Sequence, residues 1–383
     1  MPAPRALLMR ILVFSDIPPY VLGGAEVQAA RLAKAWQAQG HEILVVGHRT
    51  PSGRTDGLRT RRLKVLYPLG RGVRALTLFL SIGRLMTGFG RHYDVAYCRF
   101  LGETALSLAM LKALSLCRIP VVASPAAAGR SGNADLALLR ALPGSAYLIR
   151  LINRHCDAVN LISPEIKSDL HALGVWPRIL SEIPNGVVLE SGLCVGPDSR
   201  PTRLVFVGRL VDQKGVDILL EALARVRGHG RMLHLDLLGD GRNVTALRDR
   251  VEELYLDREV TFHGAVDHGR VQQALSQAHL FVLPSRYEGL SNAALEALAV
   301  GLPCVLTRCG GVDAYVDVDT GWVCEPDDVD GLVAALSQAL EMDRHQWDRR
   351  SRRSRGLVEQ HFELSGCARR HIDLFQSLLP GGS

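Results

Sequence analysis

The sequence predicts an α/β protein built as two doubly wound domains, and three observations carry that prediction. Short runs that are apolar on both faces recur along the 383 residues, amphipathic helical stretches lie between them, and the alternation breaks once, around residues 183–203, before starting again. Strands apolar on both faces and separated by helices belong to parallel sheets wrapped by helices.

In the first half, RILVFSD (10–16), HEILVVG (41–47), LKVLY (63–67), YDVAYC (93–98), IPVVAS (119–124) and DAVNLIS (157–163) read as strands. AEVQAARLAKAWQAQG, after the first of them, has helical periodicity and puts Gly40 where a helix C-cap is expected. VRALTLFLSIGRLMTGF (73–89) reads as a helix packed on a sheet. Arg74 and Arg84 interrupt it and it is too short to span a bilayer, which leaves a membrane surface as its alternative place. The stretch IPNGVVLESGLCVGPDSRPTR (183–203) has no period long enough to form an element and is the linker candidate. Beyond it RLVFVG (203–208), LHLDLLG (233–239), EVTFHG (259–264), HLFVLP (279–284), PCVLT (303–307) and GWVCE (321–325) repeat the arrangement. The expected division is residues 1–190 and 191–365, with 366–383 as a terminal helix. Two such domains would face each other with the carboxyl ends of their strands, where open parallel sheets bind ligands, so the site is expected in the cleft between them.

With 47% hydrophobic residues, a chain of this length can bury two cores. The apolar run near the start is broken by Arg10 and lacks a small-residue cleavage site, so it reads as the first strand and not as a secretory signal. The eight cysteines contain no C-x-x-C pair and no zinc spacing, which fits reduced thiols in a cytoplasmic protein. Charge divides unevenly: residues 1–190 hold 23 Lys/Arg against 12 Asp/Glu, and residues 191–383 hold 22 against 27. A basic first half suits an anionic partner such as a headgroup layer at the inner face of a membrane, and a plain solvated Arg-rich surface would give the same count. Nucleic acid is disfavoured, because RTPSGRTDGLRTRRLK (49–64) lacks interleaved aromatics.

Three segments carry the chemistry. In LVFVGRLVDQKGVDILLEAL (204–223) a strand ends at Gly208, a turn holds Arg209 and Lys214, and Gly215 leads into a helix. Two cations at the carboxyl end of a parallel strand beside a helix N-terminus make a polyanion site, most simply for a diphosphate. In HLFVLPSRYEGLSNAALEALAVG (279–301) Ser291 can cap a helix whose first N–H groups offer donors to a phosphate. Glu288 precedes that helix and Glu296 lies more than a turn inside it. They are too far apart to share one proton and are suited to gripping two parts of one long ligand. In SDIPPYVLGGAEVQAARLA (15–33) Gly23 and Gly24 open a helix and let a ligand approach the backbone. This is not the G-x-G-x-x-G fingerprint, so an NAD enzyme is disfavoured.

The set GGAEV, GRLVDQKGVDILLEAL, LLGDGR, FHGAV, VLPSRYEGLSNAALEALAVGLPCV and GGVDAYVDVDTGWV resembles the retaining sugar-nucleotide glycosyltransferases of family 4, which have the GT-B fold of two Rossmann-like domains. The resemblance implies that Arg209 and Lys214 bind the donor diphosphate in place of a metal, that Glu288 contacts donor-sugar hydroxyls and that Glu296 holds the ribose. It further implies that Gly289, Leu290, Ser291 and Asn292 run beside sugar and phosphates. Gly239 to Gly241 and Gly264 to Val266 would line the base, Gly23 and Gly24 would reach the phosphates, and the helix from about Gly366 would return to the first domain. No cofactor and no metal are implied beyond the nucleotide-sugar co-substrate. The acceptor would be a glycan, lipid-linked or part of an envelope polysaccharide. Many members carry a histidine in the loop that here reads PAAAGRSG (125–132), where Arg130 or backbone N–H groups would substitute; His155 reads as structural. A nucleotide-sugar epimerase on the same fold, and a non-catalytic nucleotide-sugar-binding subunit, are the competing readings.

Overall fold

The computed structural model describes residues 8–67, 70–126, 144–189, 194, 196, 202–228, 230 and 232–380. The chain forms two compact units, Met1–Gly186 together with Leu364–Ser383, and Val187–Glu363. These limits fall a few residues before the division at 190/191 and 365/366 expected from composition.

In the first unit β1 (Arg10–Phe14), α1 (Gly24–Ala38), β2 (Glu42–Gly47), β3 (Gly53–Thr55), β4 (Leu58–Arg62), α2 (Gly70–Thr87), β5 (Val95–Cys98), α3 (Glu103–Ala113), β6 (Val121–Ala123), α4 (Ser145–His155), β7 (Ala158–Leu161), α5 (Glu165–Ala172) and β8 (Ile179–Glu182) follow one another. Their sheet has the order β3-β4-β2-β1-β5-β6-β7-β8, parallel except for the β3–β4 hairpin. Ile11, Leu12 and Val13 are fully buried, because β1 lies between β2 and β5 under helices. The expected strand at 63–67 is not one. The pairing strand is β4, with Leu58 and Thr60 inward and Arg59, Arg61 and Arg62 outward. A search for purely apolar runs passes over such a half-charged strand. Residues 64–67 run along α2, where Leu66 N–H donates to Thr77 Oγ1 (3.1 Å) and Ser81 Oγ donates to the Lys64 carbonyl (2.7 Å).

The second unit contains β9 (Thr202–Val207), α6 (Val216–Gly228), β10 (Leu233–Leu238), α7 (Val244–Glu253), β11 (Val260–Gly264), α8 (His268–Gln277), β12 (Leu280–Leu283), α9 (Asn292–Ala299), β13 (Cys304–Thr307), β14 (Gly321–Cys324), α10 (Val329–Leu340) and α11 (Arg344–His361). All its strands are parallel, in the order β11-β10-β9-β12-β13-β14. The chain winds one way from β9 and the other way from β12, so the switch point of this sheet lies between those two strands. The last helix, α12 (Leu364–Ser377), belongs to the first unit. Its Phe375 and His371 meet Trp36 and Tyr97 at ring distances of 5.4–6.1 Å, and Trp36 Nε1 donates to the Ala368 carbonyl (3.1 Å).

Candidate functional site

The switch point of the second unit brings two turns together. After β9 the chain passes Gly208 and Arg209, makes a single 3₁₀ turn over Asp212–Lys214 and enters α6 through Gly215. After β12 it passes Pro284 and reaches α9 through Ser291. Gly215 has φ +62°, and a Cβ there would stand 2.1 Å from the Pro284 carbonyl oxygen, so the position requires glycine twice over. Arg286 clamps the turns. Its N–H donates to the Gln213 carbonyl (2.8 Å), and its guanidinium bonds Asp217 and Asp327 at 2.7 Å each. The hydrogen bond it donates to Asp217, then the charges of Asp217 and Asp327, hold this guanidinium above its ordinary pKa against the opposing effect of burial. Gln213 Nε2 donates to the Tyr287 carbonyl at 2.9 Å.

Within this frame the expected residues take distinct states. Arg209 is exposed, and its guanidinium has no partner among the described residues. Lys214 is largely buried and its Nζ contacts Glu288 Oε1. Glu288 is 8% exposed; Ser285 Oγ donates to the same Oε1 (2.7 Å), and the Glu288 N–H donates to the Cys309 carbonyl (2.9 Å). Ser285, fully buried, is held in turn through its carbonyl by Thr307 Oγ1. Glu296 is 7% exposed, so it is buried and not a solvated residue on the surface of α9. Gly289 and Leu290 lead to Ser291, whose side chain caps α9 by accepting from Ala294 N–H (3.4 Å), and Asn292 opens the helix.

The neighbouring loops are stitched at the same carboxyl edge. Gly208 N–H donates to the Leu238 carbonyl (3.0 Å), Gly239 N–H to Gly264 (2.8 Å) and Leu210 N–H to Asp240 (2.9 Å). Gly239 adopts φ +142° with Gly208 against it, and a Cβ at Gly241 would lie 2.2 Å from the Leu210 carbonyl oxygen. Val266 lines a cavity of about 120 Å³ with Arg203, Asp236 and His263. Gly23 and Gly24 lie in the first unit, where they open α1. At the end of β1 in that unit, burial alone would raise the Asp16 carboxyl. His48 (2.9 Å) and the N–H groups of Thr50 (2.7 Å) and Arg49 (2.8 Å) instead hold it well below its ordinary range. Residues 127–132 of the loop expected to replace the family histidine, Arg130 among them, lie outside the described residues.

Comparison with known proteins settles the class. The description Glycosyltransferase Family 4 matches residues 22–191, and Glycosyl transferases group 1 matches residues 201–342. The chain belongs to the family 4 glycosyltransferases. This glycosyltransferase is 28% identical to a glycogen synthase of Mycobacterium tuberculosis over 94% of its own length and 92% of the relative's. It is 29% identical to the putative colanic acid biosynthesis glycosyltransferase WcaL of Escherichia coli over 46% of each chain. Its GT-B fold matches the Anabaena HepE protein, solved with UDP-glucose, with a TM-score of 0.78 at 20% identity, covering 97% of this chain and all of that one. As a glycosyltransferase of this family it uses a nucleotide sugar.

Sequence reasoning missed Ser285, Arg286 and Gln213, which position the charged groups of this glycosyltransferase. All three stand inside the motifs that carry the family resemblance. Their signal was an arginine and a serine within three residues of Glu288, but the partners of Arg286 and Gln213 lie 41 to 74 positions away in the chain and become visible only in the folded unit.

Proposed function

We propose that this glycosyltransferase moves a hexose-type sugar, with retention of anomeric configuration and without a metal, from a nucleoside diphosphate sugar to a glycan hydroxyl. A UDP-sugar is favoured, with GDP-mannose second. The observation that carries the reading is the pairing of two cations, Arg209 and Lys214, with the start of α9 at the switch point of the second sheet. A departing nucleoside diphosphate needs fixed positive charge where its oxygen develops charge, and this is where such charge is provided. The anomeric bond to the phosphate oxygen breaks, and a bond forms on the same face to the acceptor oxygen. The acceptor proton passes to the departing phosphate oxygen. In this reading Glu288 orients the sugar, Glu296 holds the ribose, and Gly289, Leu290, Ser291 and Asn292 pass along sugar and phosphates. The loops at Gly239, Gly241, Gly264 and Val266 take the base, and Gly23 and Gly24 serve the phosphates. The UDP-glucose bound by the HepE protein supports the choice of donor.

A lipid-linked acceptor at a membrane surface is part of the same proposal. Its support is α2, whose charged residues are all arginines and which exposes Leu76 and Leu80, beside exposed Leu66 and Tyr67. No helix of the described residues is long and apolar enough to cross a membrane.

The test is transfer by the purified protein from a panel of UDP- and GDP-sugars, with and without chelator. Sugar transfer with retained configuration that survives chelation supports the reading. Activity abolished by chelator and restored by magnesium contradicts the metal-free part, and interconversion of donor sugars without transfer replaces it with an epimerase.

A further inference from the structure

Two groups assigned above to different parts of the donor are bonded to each other. Lys214, the proposed diphosphate ligand, contacts Glu288, the proposed sugar ligand, and both side chains are about nine-tenths buried. Ser285 holds the same carboxylate oxygen at 2.7 Å, so the pair is braced from the sheet side. Arg209, in the same turn, is exposed and unpaired among the described residues. The two cations are therefore not equivalent: one is always available, and the other is already neutralised.

Resting on the donor reading proposed above, we infer that Glu288 and the ligand diphosphate compete for Lys214, and that this exchange discriminates intact donor from spent nucleoside diphosphate. With a sugar present, its hydroxyls donate to the Glu288 carboxylate, which is acceptor-only, and Lys214 turns to the phosphates. Once the sugar has left, Glu288 keeps only the Ser285 hydroxyl, and a buried carboxylate without a counter-charge is costly. It takes Lys214 back. The spent diphosphate, with more negative charge of its own, has then lost Lys214 as a counter-charge and is released. Arg209 supplies the attraction common to both ligands. Glu288 thereby sets the preference for donor over product, beyond its contact with the sugar.

The experiment is calorimetric titration of the full chain with UDP, GDP, UDP-glucose and GDP-mannose, on wild type, Glu288→Gln, Lys214→Met and the double variant, with Ser285→Ala as a milder perturbation. Melting temperatures are measured alongside to verify folding. Glu288→Gln is expected to bind the better nucleoside diphosphate about tenfold more tightly, the scale of one charge-assisted hydrogen bond, while gaining nothing for the corresponding sugar nucleotide. The gain should vanish in the Lys214→Met background, and Ser285→Ala, which makes the Glu288 carboxylate depend more on Lys214, should weaken diphosphate binding. Unchanged or weaker diphosphate binding in Glu288→Gln overturns the inference, as does a gain that persists without Lys214. If Glu288→Gln proves unstable, Ser285→Ala decides instead: weaker diphosphate binding supports the inference, and unchanged or tighter binding overturns it. A different pattern would sink the parent reading and this inference with it: no nucleotide binding by wild type, or binding indifferent to both Lys214→Met and Arg209→Ala.

Discussion

Arg209 and Lys214 differ in exposure and partners, yet both are assigned to stabilising a leaving diphosphate. Replacing either by alanine should lower kcat/KM by about a hundredfold or more, on the scale of losing one preorganised charge contact. The melting temperature should hold for Arg209→Ala, whose exposed guanidinium has no hydrogen-bond or ion-pair partner among the described residues. Steady-state kinetics beside thermal melting checks this, and near-normal turnover in both variants contradicts the assignment. Single residues also set the acid limit of the fold. Burial holds His371 neutral and lowers its pKa from 6.5 to about 4, with its Nδ1 bonded to the Cys367 carbonyl at 2.9 Å. Between those values the unfolded chain binds a proton that the folded chain refuses, so stability rises with pH through that window and is lost as pH falls. Asp16, held below its ordinary 3.8, adds stability that is present above that value and lost below it. Melting temperature should therefore decline on acidification from about pH 6.5, and His371→Gln should flatten the decline between pH 6.5 and 4.

Among the elements, the turn at Gly215 and the cap at Ser291 are the most exacting. Gly215→Ala puts a Cβ into the Pro284 carbonyl at positive φ and should cost about 1–3 kcal/mol while displacing Lys214, so that stability and turnover fall together. Ser291→Ala removes the α9 cap and should cost about 1 kcal/mol by denaturant titration. The apolar strands were legible in the sequence because β1, β2, β9, β12 and β13 carry unbroken apolar runs buried on both faces. Two outer strands of the first sheet were not: β4 alternates Leu and Thr with arginines, and the edge strand β8 (Ile179–Glu182) is half exposed, so neither has an apolar run to find. At the site, Glu288 could be singled out from its neighbours Gly289 and Ser291. Its bond to Lys214 could not be foreseen, because it joins residues 74 positions apart through two adjacent strands.

The whole molecule is two separately cored units, between which the chain passes near 186/187 and again near 363/364. Because α12 completes the first core, Phe375→Ala should cost about 3–5 kcal/mol in that unit alone. Calorimetry should show one transition lowered and the other unmoved, whereas a bound nucleotide should raise the transition of the second unit. The division of labour proposed for the chain rests on that second unit carrying the donor. The most direct measurement is a crystal structure of the protein with a bound nucleoside diphosphate sugar. The diphosphate is expected within hydrogen-bond distance of Arg209, of Lys214 drawn away from Glu288, and of the first N–H groups of α9. A diphosphate seated elsewhere, with the Lys214–Glu288 pair intact, would contradict it.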